Sequence, residues 1–293
     1  MTVRWPILAV DIGGTKTAAA LVQPDGTIEN LCLAPTQGED STAESIGRTV
    51  IDTTRRACSG YVPSHIGIAC AGPIDPTRGT VRPVNIAAWA LDYPLLRAFE
   101  RAFPEATSSL VGDAGAAALG EYRFGVGRAV SCLLGIVVST GVGGGLVLGG
   151  SLYQGPGGNA GHVGHMAAGS EFAAEACRCG ATGCVEAVAS GPALEAWAWA
   201  QAPDREKLSS GQLAAAARDG DPIATQAYHR AARALAHTLV QTSLVCELEV
   251  VVIGGGVAQA GDVLLDPLRA CIEATPGLAF AEGGGGSGAC TAA

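Results

Sequence analysis

The sequence predicts an α/β protein of two lobes facing each other around a central cleft, and three observations carry that reading. A polar, glycine-rich hairpin, Asp11-Ile12-Gly13-Gly14-Thr15-Lys16-Thr17 between the apolar runs Trp5–Val10 and Ala18–Val22, recurs as Ser139-Thr140-Gly141-Val142-Gly143-Gly144-Gly145 between Leu133–Val138 and Leu146–Leu148. Each hairpin opens its own half of the chain, where apolar runs of strand length alternate with segments of helical periodicity. The 293 residues are 48% hydrophobic, enough to bury two cores. The boundary is set at 112/113. This gives a lobe of residues 1–112, completed by the C-terminal tail, and a lobe of residues 113–293 carrying a Cys/His loop at 159–186. A cleft between lobes is the usual place for a ligand.

In chain order, the first hairpin ends at a further turn, Pro24-Asp25-Gly26. Ser41 with Glu44 reads as a capping box, and Ile46, Val50 and Ala57 line one face of the helix that follows to about Ser59. His65–Cys70 is a buried strand leading into Ala71-Gly72-Pro73, and Val81–Trp89 is irregular and carries Asn85. A helix near Tyr93–Phe103 buries Leu95, Leu96, Phe99 and Phe103. Leu110-Val111 then runs into Gly112-Asp113, and Ala114–Gly120 has helical composition, so Asp113 stands at a strand-to-helix junction. After the second hairpin and the Cys/His loop come helices at Gly191–Ala202 and Ser210–Arg218. A long helix opens on Asp221-Pro222, an N-cap followed by a first-position proline, and runs to about Val245. Glu249–Ile253 is a buried strand ending in Gly254-Gly255-Gly256, followed by a helix from Asp262 to Ile272. The tail from Gly283 is rich in glycine and alanine.

Composition removes several function classes. A net charge of −9 and a pI near 5.0 oppose generic nucleic-acid binding, which needs a basic face. Ten cysteines are scattered through a long chain with no signal peptide before them, since Ile7-Leu8-Ala9-Val10 stops at Asp11 without a basic region or a cleavage site. A cytoplasmic protein with no membrane span is expected. Neither hairpin is the strand-to-helix turn of a dinucleotide fold or a P-loop, which excludes those motifs.

The Cys/His loop has the most specific spacing. Cys177-x-Cys179-x4-Cys184 puts three sulfurs on one short loop that Gly180 and Gly183 allow to fold back, and His165 can supply a nitrogen as fourth ligand. The set reads as a closed, structural Cys3His zinc site. Buried free thiols in a reducing compartment are the competing reading, disfavoured by the glycine-rich, aperiodic setting. Metal binding would also bring His162 and Glu186 into one polar neighbourhood.

Clustered Gly, Ser and Thr in a turn expose backbone N–H groups and hydroxyls, which suits phosphate oxygens. Two such turns, with Gly254-Gly255-Gly256 at a strand end, point to a nucleotide. Together, Asp11-Ile12-Gly13-Gly14-Thr15-Lys16, Ser139 to Gly145, the His165/Cys177/Cys179/Cys184 set with Glu186, and Gly254-Gly255-Gly256 resemble the ROK family (repressors, open reading frames, sugar kinases), from about residue 6 onward. The resemblance implies two ribonuclease-H-like lobes of the actin/hexokinase superfamily and an ATP-dependent sugar kinase, commonly a homodimer, that phosphorylates a primary 6-hydroxyl. It implies that Asp11, with Gly13, Gly14, Thr15 and Lys16 of the first turn, helps hold Mg2+–ATP, that Thr140 and Gly141 approach the phosphates, and that Gly255 lies by the adenosine. Asp113 would be the general base, and Gly72, Asn85, His162, His165 and Glu186 sugar neighbours. Phosphoryl transfer needs alignment and charge stabilisation, so one carboxylate in a clamp is sufficient chemistry.

Two positions depart from the family pattern. Gly112 precedes Asp113 where the family usually has Asn, and His162 stands where it usually has Glu; both normally touch ring hydroxyls. A glucose-shaped hydrogen-bond set is therefore incomplete, and a modified hexose such as 3-amino-3-deoxyglucose (kanosamine), or a sugar-like cyclitol, is the expected substrate. Water filling the gap would leave an ordinary glucokinase. The first strand begins at about residue 5, which leaves no room for the winged helix of a ROK repressor, and a non-catalytic sugar-binding protein is the remaining alternative.

Overall fold

The computed structural model describes residues 4–38 and 41–275, and the backbone of 289–292. The chain forms two compact units, residues 1–116 with 154–160, and residues 117–153 with 161–293.

In the first unit β1 (Ile7–Ile12), β2 (Lys16–Val22) and β3 (Ile28–Pro35) form an antiparallel meander. Helix α1 (Ala43–Cys58) then crosses to β4 (His65–Cys70), parallel to β1. A small ladder of β5 (Ile74–Asp75) and β6 (Thr80–Val81) and helix α2 (Leu95–Ala102) lead to β7 (Thr107–Gly112), parallel to β4. The sheet order is β3-β2-β1-β4-β7. Leu8, Val10, Ile12, Ile66 and Ile68 pack against Ile46 and Val50 of α1, the alternation expected of strands with one face on a helix.

The second unit repeats the plan. Helix α3 (Asp113–Phe124), whose first residues still belong to the first unit, leads to β8 (Cys132–Val138), β9 (Val142–Leu148) and β10 (Ser151–Tyr153), an antiparallel meander. Four helices follow: α4 (Glu186–Ala189), α5 (Gly191–Gln201), α6 (Ser210–Arg218) and α7 (Pro222–Cys246). Strand β11 (Val250–Gly254) lies parallel to β8, and α8 (Asp262–Glu273) precedes β12 (Ala289–Ala292), parallel to β11. The order β10-β9-β8-β11-β12 matches the first sheet position for position, which is the duplicated ribonuclease-H-like plan. The core centres on α7, whose inward face of Ala224, Ala227, Ala231, Ala234 and Leu235 is small enough to let neighbouring helices approach closely. Its predicted start is confirmed: Asp221 caps the Ile223 and Ala224 N–H groups, each at 2.9 Å.

Several expectations are corrected. The α1 capping box is Thr42 with Ser45, one residue beyond Ser41 and Glu44; the Ser41 hydroxyl instead accepts the Gly38 N–H at 2.7 Å. Leu96 and Phe103 are only half-buried, because α2 presents Leu95 and Phe99 to the core. Asp11 and Ile12 belong to β1, and Gly143, Gly144 and Gly145 to β9, so both turns are shorter than they read. The described end of the tail, β12, extends the second sheet rather than completing the first lobe, because β11 offers its free edge there. The glycine run 283–288 lies outside the described residues. Among the described residues no helix is long and apolar enough to cross a membrane.

Candidate active site and metal centre

Parallel strands bring their C-terminal ends side by side, and in α/β sheets this end is where ligands bind. In the first unit Ile12 pairs with Cys70 and Cys70 with Gly112, so Asp11 and Asp113 emerge from the same end of the sheet on either side of β4. Asp113 opens α3, is exposed, and its carboxylate accepts the Ala114 N–H at 2.7 Å. Although Asp11 keeps a path to solvent, burial of its carboxyl raises its pKa above the ordinary 3.8; the Asp113 charge pushes the same way and Lys16 pulls it back. Burial first, then Asp113 and Asp11, push the Cys70 thiol up to about 12, leaving it neutral and unreactive at physiological pH.

A carboxyl whose pKa is raised on folding costs stability at pH values above that pKa, and the cost vanishes once both folded and unfolded states are protonated. Asp11→Asn is therefore expected to raise Tm at pH 7, with the gain disappearing as pH falls below 3.8, while nucleotide affinity drops. Thermal unfolding across this range checks the sign; a variant less stable than the parent at pH 7 would contradict the placement of the acid pair.

The first turn is closed by the Gly13 N–H on the Lys16 carbonyl at 3.0 Å and anchored to the end of β3 by the Thr36 N–H on the Thr15 carbonyl, also at 3.0 Å. Thr15 and Lys16 are exposed at its tip. Gly14 lies directly against Asn85: a Cβ added there would stand 2.7 Å from the Asn85 Cγ. Gln37 Nε2 donates to the carbonyls of both Gly14 and Asn85, at 2.8 Å each, and so clamps the first turn to the segment carrying Asn85. Sequence reasoning missed Gln37, which follows an exposed edge strand with no core-facing alternation to mark it. The Gly72 carbonyl accepts the Val84 N–H at 3.3 Å, so the Gly72 loop is tied to the segment carrying Asn85. A Cβ on Gly112 would meet nothing within 4 Å.

In the second unit the turn is Ser139-Thr140-Gly141, closed by the Ser139 N–H on the Gly141 carbonyl at 2.8 Å. The Gly191 N–H, at the start of α5, donates to the Ser139 carbonyl at 2.8 Å. Gly255 follows β11 with φ +95°, and an added Cβ there would collide with the Val138 carbonyl, so only glycine brings this backbone so close to the end of β8. The Val257 N–H bonds that same carbonyl at 3.0 Å. Thr140, Gly141 and Gly255 thus gather at one sheet end. Gly191, read from sequence only as a helix start, joins them. The strand glycine Gly144 serves packing instead, with the Gly161 carbonyl and Val163 each 2.7 Å from where its Cβ would be.

The metal-ligating candidates converge. Donor atoms of His165, Cys177, Cys179 and Cys184 all lie within 4.8 Å of one another. Cys177 Sγ is 3.9 Å from His165 Nδ1 and Cys179 Sγ is 3.7 Å from Cys184 Sγ. A tetrahedron with zinc–sulfur bonds of about 2.3 Å has sulfur–sulfur edges of about 3.8 Å, so the spacing fits a four-coordinate ion. A small ladder shapes the loop: the Cys177 N–H donates to the Ala181 carbonyl at 2.9 Å and the Ala168 N–H to the Gly183 carbonyl at 2.8 Å. Burial, with the neighbouring thiols, pushes Cys184 up to about 12, and burial raises Cys177, whereas the Ala181 N–H leads the causes that lower Cys179. His162 is exposed beside this set, its ring centroid 6.3 Å from that of His165.

Glu186 starts α4 just after Cys184, and its Oε2 accepts the Val142 N–H at 2.9 Å. Together with Thr140, Cys177, Arg178, Trp197 and Arg230 it lines a cavity of about 460 Å³ in this unit.

Residues 7–276 match the model of the ROK family. The N-acetylmannosamine kinase of Shigella flexneri is 37% identical over 263 residues, which cover 87% of this chain and 84% of that protein. A solved ROK hexokinase from Thermus thermophilus matches with a TM-score of 0.79 at 34% identity, covering 91% of this chain and 89% of that one. A ROK family glucokinase from Streptomyces griseus, solved in complex with glucose and AMPPNP, matches with a TM-score of 0.76 at 31% identity, covering 98% and 93%.

Proposed function

Because the chain belongs to the ROK family, we propose that it is an ATP-dependent kinase that phosphorylates the primary 6-hydroxyl of a modified hexose, with an N-acetylated hexosamine of the N-acetylmannosamine type as the leading substrate. The observation that carries this reading is the carboxylate of Asp113 at a helix start, on the same sheet end as Asp11 and the glycine turn that touches Asn85. The sugar hydroxyl oxygen attacks the γ-phosphorus, the bond from that phosphorus to the β-bridging oxygen breaks to release ADP, and the hydroxyl proton passes to Asp113. Asp113 is exposed and therefore reachable by an incoming hydroxyl. Gly72, Asn85, His162, His165 and Glu186 are its candidate sugar neighbours.

Asp11, with the Gly13–Lys16 turn, is assigned to Mg2+–ATP; the ion, when bound, neutralises phosphate charge. The N–H groups and hydroxyl of the Thr140-Gly141 turn take phosphate oxygens, and Gly255 lets the backbone approach the nucleoside. His165, Cys177, Cys179 and Cys184 would hold a structural zinc, which would order the loop rather than take part in the chemistry.

Two features favour a modified hexose over glucose. The Shigella flexneri relative is named for an N-acetylated sugar. Gly112 and His162 also remove an amide and a carboxylate from the usual glucose-binding set, which keeps 3-amino-3-deoxyglucose among the candidates. ATP consumption against N-acetylmannosamine, 3-amino-3-deoxyglucose, glucose and cyclitols, with the phosphorylated position read by NMR, tests the reading. Highest kcat/KM for glucose would overturn the modified-sugar version, and no transfer to any member would overturn the kinase.

The open space at Gly112 makes the specificity argument testable in reverse. Gly112→Asn introduces a side chain where its Cβ meets nothing within 4 Å, so Tm should hold. The added amide is expected to raise kcat/KM for glucose by about tenfold relative to the parent, the worth of one good hydrogen bond. An unchanged or lower glucose kcat/KM in a folded variant would remove Gly112 from the account of specificity.

A further inference from the structure

Resting on the kinase reading above, we propose that Glu186 is a positioning residue for the nucleotide, through which the metal-stapled segment sets the geometry of the phosphate turn. The argument starts from Val142, the first residue of β9 and the one that follows the Ser139-Thr140-Gly141 turn. Both of its peptide groups are held by residues adjoining metal-ligating candidates. On one side Gly164, next to His165, lies so close to the Val142 carbonyl that any side chain at position 164 would strike it. On the other, the Glu186 carboxylate, two residues past Cys184, accepts the Val142 N–H at 2.9 Å.

The two arms are also tied to each other. The Val185 N–H donates to the Met166 carbonyl at 3.0 Å, and Ala167 bridges Cys184. A metal binding His165 and Cys184 would therefore fix both arms, and the arms grip Val142, the residue that follows the turn. Glu186 also packs on the turn itself: its Oε2 lies 2.6 Å from where a Cβ on Gly141 would stand. A carboxylate accepting a backbone N–H is a strong hydrogen bond. Its loss would release a turn whose N–H groups must be aimed in advance to hold phosphate oxygens.

Contact with sugar alone predicts a different pattern from positioning of the turn, and AMPPNP titrated by calorimetry in the absence of sugar separates them. Glu186→Ala is expected to weaken AMPPNP binding by about tenfold or more, whereas Glu186→Gln, whose amide oxygen can still accept the Val142 N–H, stays within about threefold of the parent. Removing metal from the parent with a chelator should weaken AMPPNP binding by a factor like that of Glu186→Ala, and this arm holds even if the alanine variant fails to fold. Unchanged AMPPNP affinity in a folded Glu186→Ala variant, or in the metal-depleted parent, overturns the proposal. A parent that binds no AMPPNP at all overturns the kinase reading instead.

Discussion

Asp113→Asn is expected to lower kcat at least about a hundredfold while leaving the fold intact, since a positioned general base contributes roughly 10²–10⁴. The amide oxygen of Asn can still accept the Ala114 N–H that the carboxylate takes at 2.7 Å, so the start of α3 keeps its local cap. On the proposed mechanism, what is lost is the capacity to take the hydroxyl proton as the γ-phosphoryl departs. Removing the charge also lifts one of the two influences that raise the Asp11 carboxyl. Tm at neutral pH should therefore match or exceed that of the parent, and AMPPNP affinity should be kept or improved. Steady-state kinetics with the best sugar of the panel, beside calorimetric AMPPNP binding, reads all three quantities. A variant retaining more than a tenth of parental kcat would take Asp113 out of the chemistry.

Cys184→Ser should abolish stable metal binding and carry the second large effect. Cys184 is 3% exposed, and its sulfur lies 3.7 Å from that of Cys179. A serine hydroxyl is shorter, harder and not deprotonated at neutral pH, so the donor set falls from four to three. Structural zinc contributes about 10–16 kcal/mol to the folding of isolated finger peptides. The loop here has its own hydrogen-bonded ladder through Cys177, Ala181, Ala168 and Gly183, so a smaller loss is expected, about 3 kcal/mol or more, with Tm falling by several degrees. Metal analysis should fall from about one equivalent per chain to under half, and phosphoryl transfer should fall with it. Full metal content and an unchanged Tm in the serine variant would sink the assignment of these thiols as ligands.

The duplicated plan was legible because both meanders announce themselves through apolar runs broken by Gly-Thr or Ser-Thr-Gly turns. The long helix α7 was legible for the same kind of reason: Asp221-Pro222 is a start signal that tertiary context had no cause to override. Edge strands were not. In β3, Ile28, Leu31 and Leu33 are all more than half exposed, so a strand made by pairing alone left no alternation to read. The glycines after Gly141 misled for a physical reason. Glycine serves equally in a turn and where backbones meet at close range, and Gly144 against Gly161 is the latter case.

Site residues divided the same way. The convergence of His165, Cys177, Cys179 and Cys184 could be found because spacing within one loop is a local property. Gln37 and Gly191 could not, since each acts through a backbone group contributed by a distant part of the chain: Gln37 through the carbonyls of Gly14 and Asn85, Gly191 through that of Ser139. Family pattern puts Glu186 among the sugar neighbours, and its carboxylate also accepts the Val142 N–H. Only the folded register of β9 reveals that contact.

Residues 154–160 belong with the first unit although they follow the second unit's hairpin in the chain, and Asn159 bonds both the N–H and the carbonyl of Ile74, at 3.1 and 2.8 Å. The first unit is consequently not one continuous stretch of chain. A gene cut at the hairpin boundary would yield a leading fragment in which Ile74 lacks both partners, and a trailing fragment carrying a seven-residue piece of its sibling. Neither unit can therefore be cut from the chain as one continuous segment, because the first is completed only after β10 of the second has been laid down.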